Sequence, residues 1–447
     1  MPTPQTAPLP PRVPGPPLLG NTHQLLRDPA GFFPAVYRRH GPAFRLQVAG
    51  TRYTVLAGPE AFEFFMETGE RHFSRAVFYE RFGREMGTDR FILGQPADAW
   101  RDLRRRMRLG LSRQVSSAHI PAMVGAVDRA LDAVPEGESV GAMDLMARIS
   151  FEQYGYLLCN RSVMEVFPDA RRYTQFIMNV GTKLWPPALL RWPPYRRSRA
   201  NVFAYAEGLL DEQRAKSGGE PYTLLDALRA AQTDAGEPVP EQEILACALY
   251  GFVGTLVYCD RAASFLLYHL LTDHDLRARA TAEADAAVSG DTTDVRALRG
   301  MHELRAAFRE AMRLHPIALG LPFHADEDFV FRGHRVRRGE YVVLSLVPAH
   351  FSGDFYRCPF AYDPERFRSP RNEHRQAGAY APFGVGSRYC PAAGLVELMT
   401  LCTLGRMLHR RRLSLEPPGH RLRERLNPLP GPSRRFRVRL HETRAAG

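Results

Sequence analysis

The stretch from Ile244 to Thr272 is apolar nearly all round, interrupted by the charged pair Asp260-Arg261. A helix with no polar face cannot lie on a surface; it must be enclosed by other elements at the centre of a large domain. The chain has the material for that, with 447 residues of which 45% are hydrophobic. The longest uncharged run, Ile244 to Cys259, falls short of the roughly 20 residues that cross a bilayer. The segment therefore predicts a core helix and no membrane span.

A prior of about 150 residues per domain suggests three domains. No repeat or linker divides the chain, so one large domain over 18–447 is expected. It is mainly α with a small β part. From about residue 96 to 315 the pattern is helical, with Leu103, Met107 and Leu111 at helical spacing, as are Leu266/Leu270 and Leu267/Leu271. Phe44–Val48 and Tyr53–Leu56 flank Ala49-Gly50 and predict a hairpin. Phe329–Phe331, His334–Val336 and Tyr341–Leu346 read as strands. A Pro/Gly/Arg-rich stretch covers about 350–389, and loops that long are rare unless functional. A last apolar helix is expected over about 392–410, with strands and turns from Leu413. The Pro-rich residues 1–17 should be extended and poorly ordered.

The formal net charge is +12, with a pI near 9.6. The arginines form short clusters at Arg104–Arg106, Arg196–Arg197, Arg410–Arg412 and Arg434–Arg435. No zinc-finger spacing or aromatic-rich RNA signature accompanies them, so nucleic acid is not an expected partner. Six scattered Cys without a C-x-x-C pair exclude a disulfide scaffold and a structural zinc site. Buried thiols and the lack of a signal-peptide core point to the reducing cytoplasm; a monomer is expected.

Chemistry concentrates in Phe383-Gly384-Val385-Gly386-Ser387-Arg388-Tyr389-Cys390. Gly384 and Gly386 let the backbone turn tightly and approach a flat object. Arg388 offers a fork of donors for a carboxylate. Cys390 precedes a helix, where amide dipoles favour a thiolate. Together these describe one face of a haem whose iron takes a Cys ligand, an arrangement that favours O–O cleavage.

The chain here resembles the cytochrome P450 family, whose haem loop reads F-x-x-G-x-R-x-C. Phe383, Gly386, Arg388 and Cys390 match it. Glu310-Ala311-Met312-Arg313 is similar to the family's E-x-x-R motif, Pro364-Glu365-Arg366-Phe367 to its P-E-R-F motif, and Trp100 to Arg104 to its W-x-x-x-R helix. The resemblance spans essentially the whole chain. It implies the single-domain cytochrome P450 fold, haem b as cofactor and Cys390 as the metal ligand. Trp100, Arg104, Phe383, Gly384 and Arg388 should contact the haem. Glu310, Arg313 and Arg366 form a structural triad. From the residues alone, Glu310 and Arg313 share a helical face and can pair.

The family's central helix carries an acid–Thr pair that relays protons. Alignment through Phe265-Leu266-Leu267-Tyr268 puts that pair on Val257 and Tyr258, and a slip of one residue puts it on Leu256 and Val257; neither register supplies an acid and a Thr. Thr255, Asp260 and Arg261 are nearby on other faces. Ala392 stands where the family has Gly, and Met399 where Glu is common, with Glu397 two positions earlier. The family's propionate-binding Arg falls on Phe323, and His324 is the candidate substitute.

The expected substrate pocket includes Phe82, Phe91, Ile92, Gly254, Leu319 and Leu321, alongside Phe78, Val257, Tyr258 and Ile317. This lining favours a lipophilic small molecule of secondary metabolism: a terpenoid, a polyketide or a fatty-acid chain. Electrons should come from a separate ferredoxin or flavodoxin, drawn to the basic clusters. The leading reading is a monooxygenase. An atypical haem–thiolate enzyme (peroxygenase, dehydratase, isomerase or cyclisation catalyst) follows from the missing pair. A non-catalytic haem-binding auxiliary protein is the third reading.

Overall fold

The hairpin turn takes the backbone that its sequence favours. Ala49 and Gly50 both have positive φ, at 48 and 78°, as a two-residue hairpin turn requires. They join the antiparallel strands Ala43–Val48 and Thr51–Ala57, with Val48 opposite Thr51. The structure is a computed structural model describing residues 5–17, 19–89, 91–215, 222–232, 236–288 and 295–443. The hairpin edges a five-stranded sheet that continues through Tyr341–Ser345, Leu321–Ala325 and Phe73–Ser74. Thr51–Ala57 pairs parallel to Tyr341–Ser345; the other neighbours are antiparallel.

The rest of the described structure is mostly helical, 57% against 14% in strands, which is the mainly α fold expected. The apolar segment runs as one rod, Glu241–Thr272. It is long and apolar enough to cross a membrane, but 61% of its most apolar window is buried inside the protein. The helix Ala142–Cys159 crosses it closely because Gly251 has no side chain: a Cβ there would overlap the Tyr154 hydroxyl. Sequence periodicity did not anticipate the break within the rod. Residues Thr255–Cys259 form a π turn between α-helices Glu241–Gly254 and Asp260–Thr272. Such one-turn bulges concentrate at functional sites.

The stretch 350–389 contains only turns and short 3₁₀ helices such as Pro364–Phe367. Its anchor is a buried charge network. Arg313, on the helix His302–Leu314, holds the Glu310 carboxylate through Nε at 2.7 Å and Nη2 at 2.8 Å. Arg366 reaches the same carboxylate at 3.2 Å, and the Asp363 N–H adds a bond of 2.9 Å. The spare donors go to backbone carbonyls, Arg313 to Pro359 at 2.6 Å and Arg366 to Cys358 at 2.8 Å. None of the three side chains has exposed surface.

The Pro-rich start differs from expectation. Residues 1–4 and 18 lie outside the described residues. The described part, 5–17, follows the sheet edge rather than waving free. Val13 donates to the Arg45 carbonyl at 2.9 Å and Arg45 donates to that of Pro11 at 2.8 Å. Ala7 and Val13 are buried, so apolar contacts hold the strap in place.

Removing one partner from a buried charge network leaves the others uncompensated, at a cost of about 3–5 kcal/mol. Glu310→Ala should therefore lower the urea midpoint sharply or prevent folding. An unchanged midpoint is the contrary result.

Candidate active site

Gly384 and Gly386 hold positive φ, at 83 and 54°. A Cβ on Gly384 would stand 2.6 Å from the Arg388 carbonyl oxygen, so only glycine lets the loop turn here. The loop closes through a 2.8 Å bond from the Cys390 N–H to the Phe383 carbonyl. The helix Ala393–Arg410 starts just beyond, and the N–H groups of Ala392 and Ala393 meet the Cys390 sulfur. Ala392 has ordinary dihedrals (φ −96°, ψ 8°), so alanine keeps that N–H in place.

Burial pushes the Cys390 thiol up, against those N–H groups and the charge of Arg104. The N–H groups at the helix start favour the thiolate, as expected, but burial outweighs them. A coordinating cation supplies the missing charge, because a thiol bound to a metal is deprotonated outright.

Arg388 is 4% exposed. Its Nε and Nη2 grip Glu70 at 2.6 and 2.5 Å, and Nη2 also donates to the Gln95 carbonyl at 2.8 Å. Its Nη1 is buried without a partner, leaving that nitrogen's two N–H donors for an incoming group. Trp100 differs from expectation. Its indole N–H donates to the Ser387 carbonyl at 2.6 Å, and the ring lies 5.5 Å from the Arg388 guanidinium. Trp100 therefore braces the loop with its one donor already engaged. Arg104 lies over the exposed Tyr389 ring at 5.8 Å. Met399 is buried in the core, while Glu397 pairs with Arg305 and Arg309 at 3.0 and 3.3 Å.

His324 is not where its expected role needs it. Adjacent residues of a strand face opposite ways. Phe323 turns into the apolar layer with Phe65 and Phe73, while His324 turns outward to Tyr341 and Asp326. The cation beside Phe323 is Arg75, which sequence reading missed. Its guanidinium lies 5.5 Å from the Phe323 ring and 4.7 Å from that of Tyr79. Nε donates to the Pro322 carbonyl at 3.2 Å and Nη2 to the Tyr79 hydroxyl at 2.8 Å. Arg75 is 5% exposed. Among the described residues no carboxylate is within ion-pair reach of it.

Opposite Cys390 stands the π-turned rod. Tyr250, Gly254 and Tyr258 recur at fours and share a face. Tyr250, Tyr258 and Cys390 keep some accessible surface although protein surrounds them on all sides. That combination marks an enclosed hollow. Gly254 opens onto free space, with nothing within 4 Å of a Cβ built there. Tyr79, Phe82, Phe91 and Tyr250 form a chain of rings with centres 5.6 to 6.1 Å apart. Of the expected acid–Thr positions, Val257 is buried in the core and Tyr258 keeps the accessible surface. Thr255 bonds its own helix, donating to Gly251 and Phe252 carbonyls at 3.1 and 3.0 Å. Asp260 pairs with Arg261 at 3.0 Å, and burial pushes its carboxyl up to about 6.

Phe82, Phe91 and Ile92 are buried around this aromatic wall. Leu319 packs instead with the outer layer of Val343 and Leu426, and Leu321 with the inner sheet layer. Ile317 belongs to the main core.

The enclosed hollow, the sulfur beneath it and the spare donors of buried Arg388 suit a flat iron cofactor that carries carboxylates. Haem fits, with Cys390 as ligand and Arg388 and Arg75 available for its carboxylates. Arg75 was not legible because its carbonyl partner is 247 positions away. Glu70 is 318 positions from Arg388.

The family model described as "Cytochrome P450" matches residues 10–431. Among curated proteins, geraniol 8-hydroxylase of Swertia mussotii is 22% identical over 427 residues, 89% of this chain and 86% of that protein. Abscisic acid 8'-hydroxylase 3 of Oryza sativa subsp. indica is 26% identical over 413 residues, 88% and 79% of the two chains. Among solved structures, retinoic acid bound cyanobacterial CYP120A1 superposes with a TM-score of 0.85 at 23% identity, covering 98% of this chain and 100% of that one.

The raised Asp260 carboxyl favours protonation in the folded state. Its contribution to stability is full below the ordinary value of 3.8 and is lost as pH rises through about 6. Asp260→Asn should therefore cost most stability at low pH, with the difference from wild type shrinking up to about pH 6. Urea unfolding across pH reads this; a pH-independent difference is the contrary result.

Proposed function

The chain belongs to the cytochrome P450 family, and from that premise we propose that it is a haem–thiolate monooxygenase acting on a lipophilic, isoprenoid-like small molecule. The carrying observation is the enclosed hollow between the Cys390 sulfur and the aromatic wall of Tyr79, Phe82, Phe91, Tyr250 and Tyr258. The haem iron, when bound, supplies oxygen activation by a thiolate-ligated metal. Cys390 is the ligand, and the N–H groups of Ala392 and Ala393 steady its charge. Arg388 and Arg75 hold carboxylates at the rim. The aromatic wall excludes water and orients an apolar substrate. Geraniol, abscisic acid and retinoic acid appear in the names of similar proteins. This supports the terpenoid reading over the polyketide or fatty-acid one.

We assign the cofactor as haem b and the donor as an acidic ferredoxin or flavodoxin, docking where Tyr389 and Arg104 lie over Cys390. Arg410 and Arg411 are less free for this, being paired with Asp128 and Asp132; the side chain of Arg106 lies outside the described ones. A monomer in the cytoplasm is the matching setting, and all six cysteines are free thiols. One observation favours an atypical haem–thiolate reaction as the second reading: Val257 and Tyr258 supply no carboxyl beside a small hydroxyl.

Reduced protein with carbon monoxide should show the thiolate-type Soret band, and Cys390→Ser should lose it. A histidine-type band in the wild type would refute both readings. Turnover of an isoprenoid with ferredoxin, reductase and NADPH supports the monooxygenase; turnover with peroxide alone, and none with the donor chain, supports the second reading.

A further inference from the structure

The residues around the π turn differ in what their polar atoms are free to do. Thr255 spends its hydroxyl on two carbonyls of its own helix. Asp260 is occupied by the backbone N–H and guanidinium of Arg261. Val257 faces the core. Of Leu256, Val257 and Tyr258, which the two possible alignments put at the pair's positions, only Tyr258 is not buried. Its hydroxyl has no hydrogen-bond partner among the described residues, and neither has that of Tyr250.

We infer that the Tyr258 hydroxyl donates a hydrogen bond to the small ligand that occupies the open side of the site opposite Cys390, in place of the family's acid–Thr pair. This rests on the haem–thiolate reading above.

Three observations carry it. First, Tyr258 lies on the same face of the rod as Gly254, which opens onto free space, and it keeps accessible surface there. Second, burial raises the Tyr258 phenol above its ordinary value. The group therefore stays protonated, a donor, at neutral pH. Third, an unpartnered hydroxyl in an otherwise aromatic wall costs free energy unless a ligand accepts from it. Tyr250 shares the helix face but stands two turns away and meets the Phe91 ring edge-on at 5.6 Å. It is the natural control. The donation is a hydrogen bond; no bond to carbon or iron is formed by the tyrosine.

The probe is carbon monoxide on the reduced haem protein, read by infrared spectroscopy. A donor to the bound molecule lowers its C–O stretch and makes the band sensitive to deuterated water. Tyr258→Phe removes one oxygen atom and should leave the fold intact. It is expected to move the band to higher wavenumber and abolish the deuterium shift, while Tyr250→Phe changes neither. A Tyr258→Phe band identical to wild type, with the thiolate-type Soret band intact, overturns the inference alone. A shift produced by Tyr250→Phe in its stead also overturns it. Loss of the thiolate-type Soret band in the wild type overturns the haem–thiolate reading, and this inference with it.

Discussion

A carboxylate with no exposed surface sits at the centre of the half of the molecule beneath the hollow. Glu310 accepts from Arg313, Arg366 and the Asp363 N–H. The two guanidiniums pass their remaining donors to the carbonyls of Pro359, Ala361 and Cys358. A buried charge is tolerable only when every partner is in place. That condition substitutes for regular structure along 350–389, where few ladders of backbone bonds exist. Tyr380 and Tyr362 extend the same tie to the carbonyls of Arg309 and Ala307. The loop ending at Cys390 follows this frame, so the sulfur's position depends on a charge network well removed from it in sequence.

Local chemistry made much of this readable. Ala49-Gly50 announced a hairpin, and the apolar stretch 244–272 announced a central helix. The two glycines of the 383–390 loop stood where a turn demanded them. What escaped reading was of two kinds. Alternation along a strand decides whether Phe323 or His324 faces the site, and a motif alignment does not carry that parity. Pairings such as Arg388 with Glu70, or Trp100 with the Ser387 carbonyl, join distant segments and leave no local trace. The π turn is similar: 244–272 reads as one smooth helix, and only the crowding of neighbouring elements decides where it widens.

The two faces of the hollow are built on different principles. Below, charges are matched one by one, and Arg388 retains a single open nitrogen, Nη1. Above, aromatic rings set the shape and phenol hydroxyls are the polar groups left over. The upper face is also tied to the C-terminal part of the chain. Arg261 donates to the Leu256 carbonyl at 3.3 Å and to the Asn427 carbonyl at 2.9 Å, and its side chain occupies the space a Cβ on Gly431 would need. His269, His315 and Glu424 form a second connection, with steps of 2.8 and 2.6 Å. The segments Glu424–Leu426 and Pro430–Pro432, which pair with each other, therefore move only with the helix that forms the roof.

The Pro-rich strap along Ala43–Val48 has a consequence for the protein among its own copies. That strand is the open end of the five-stranded sheet, and exposed strand edges invite pairing with another chain. Pro11 and Val13 engage both backbone groups of Arg45. Pro10, Pro11 and Pro14 have no N–H to offer a further strand. The strap thus satisfies the edge and terminates it, and a crowded solution of this protein has one fewer template for aggregation.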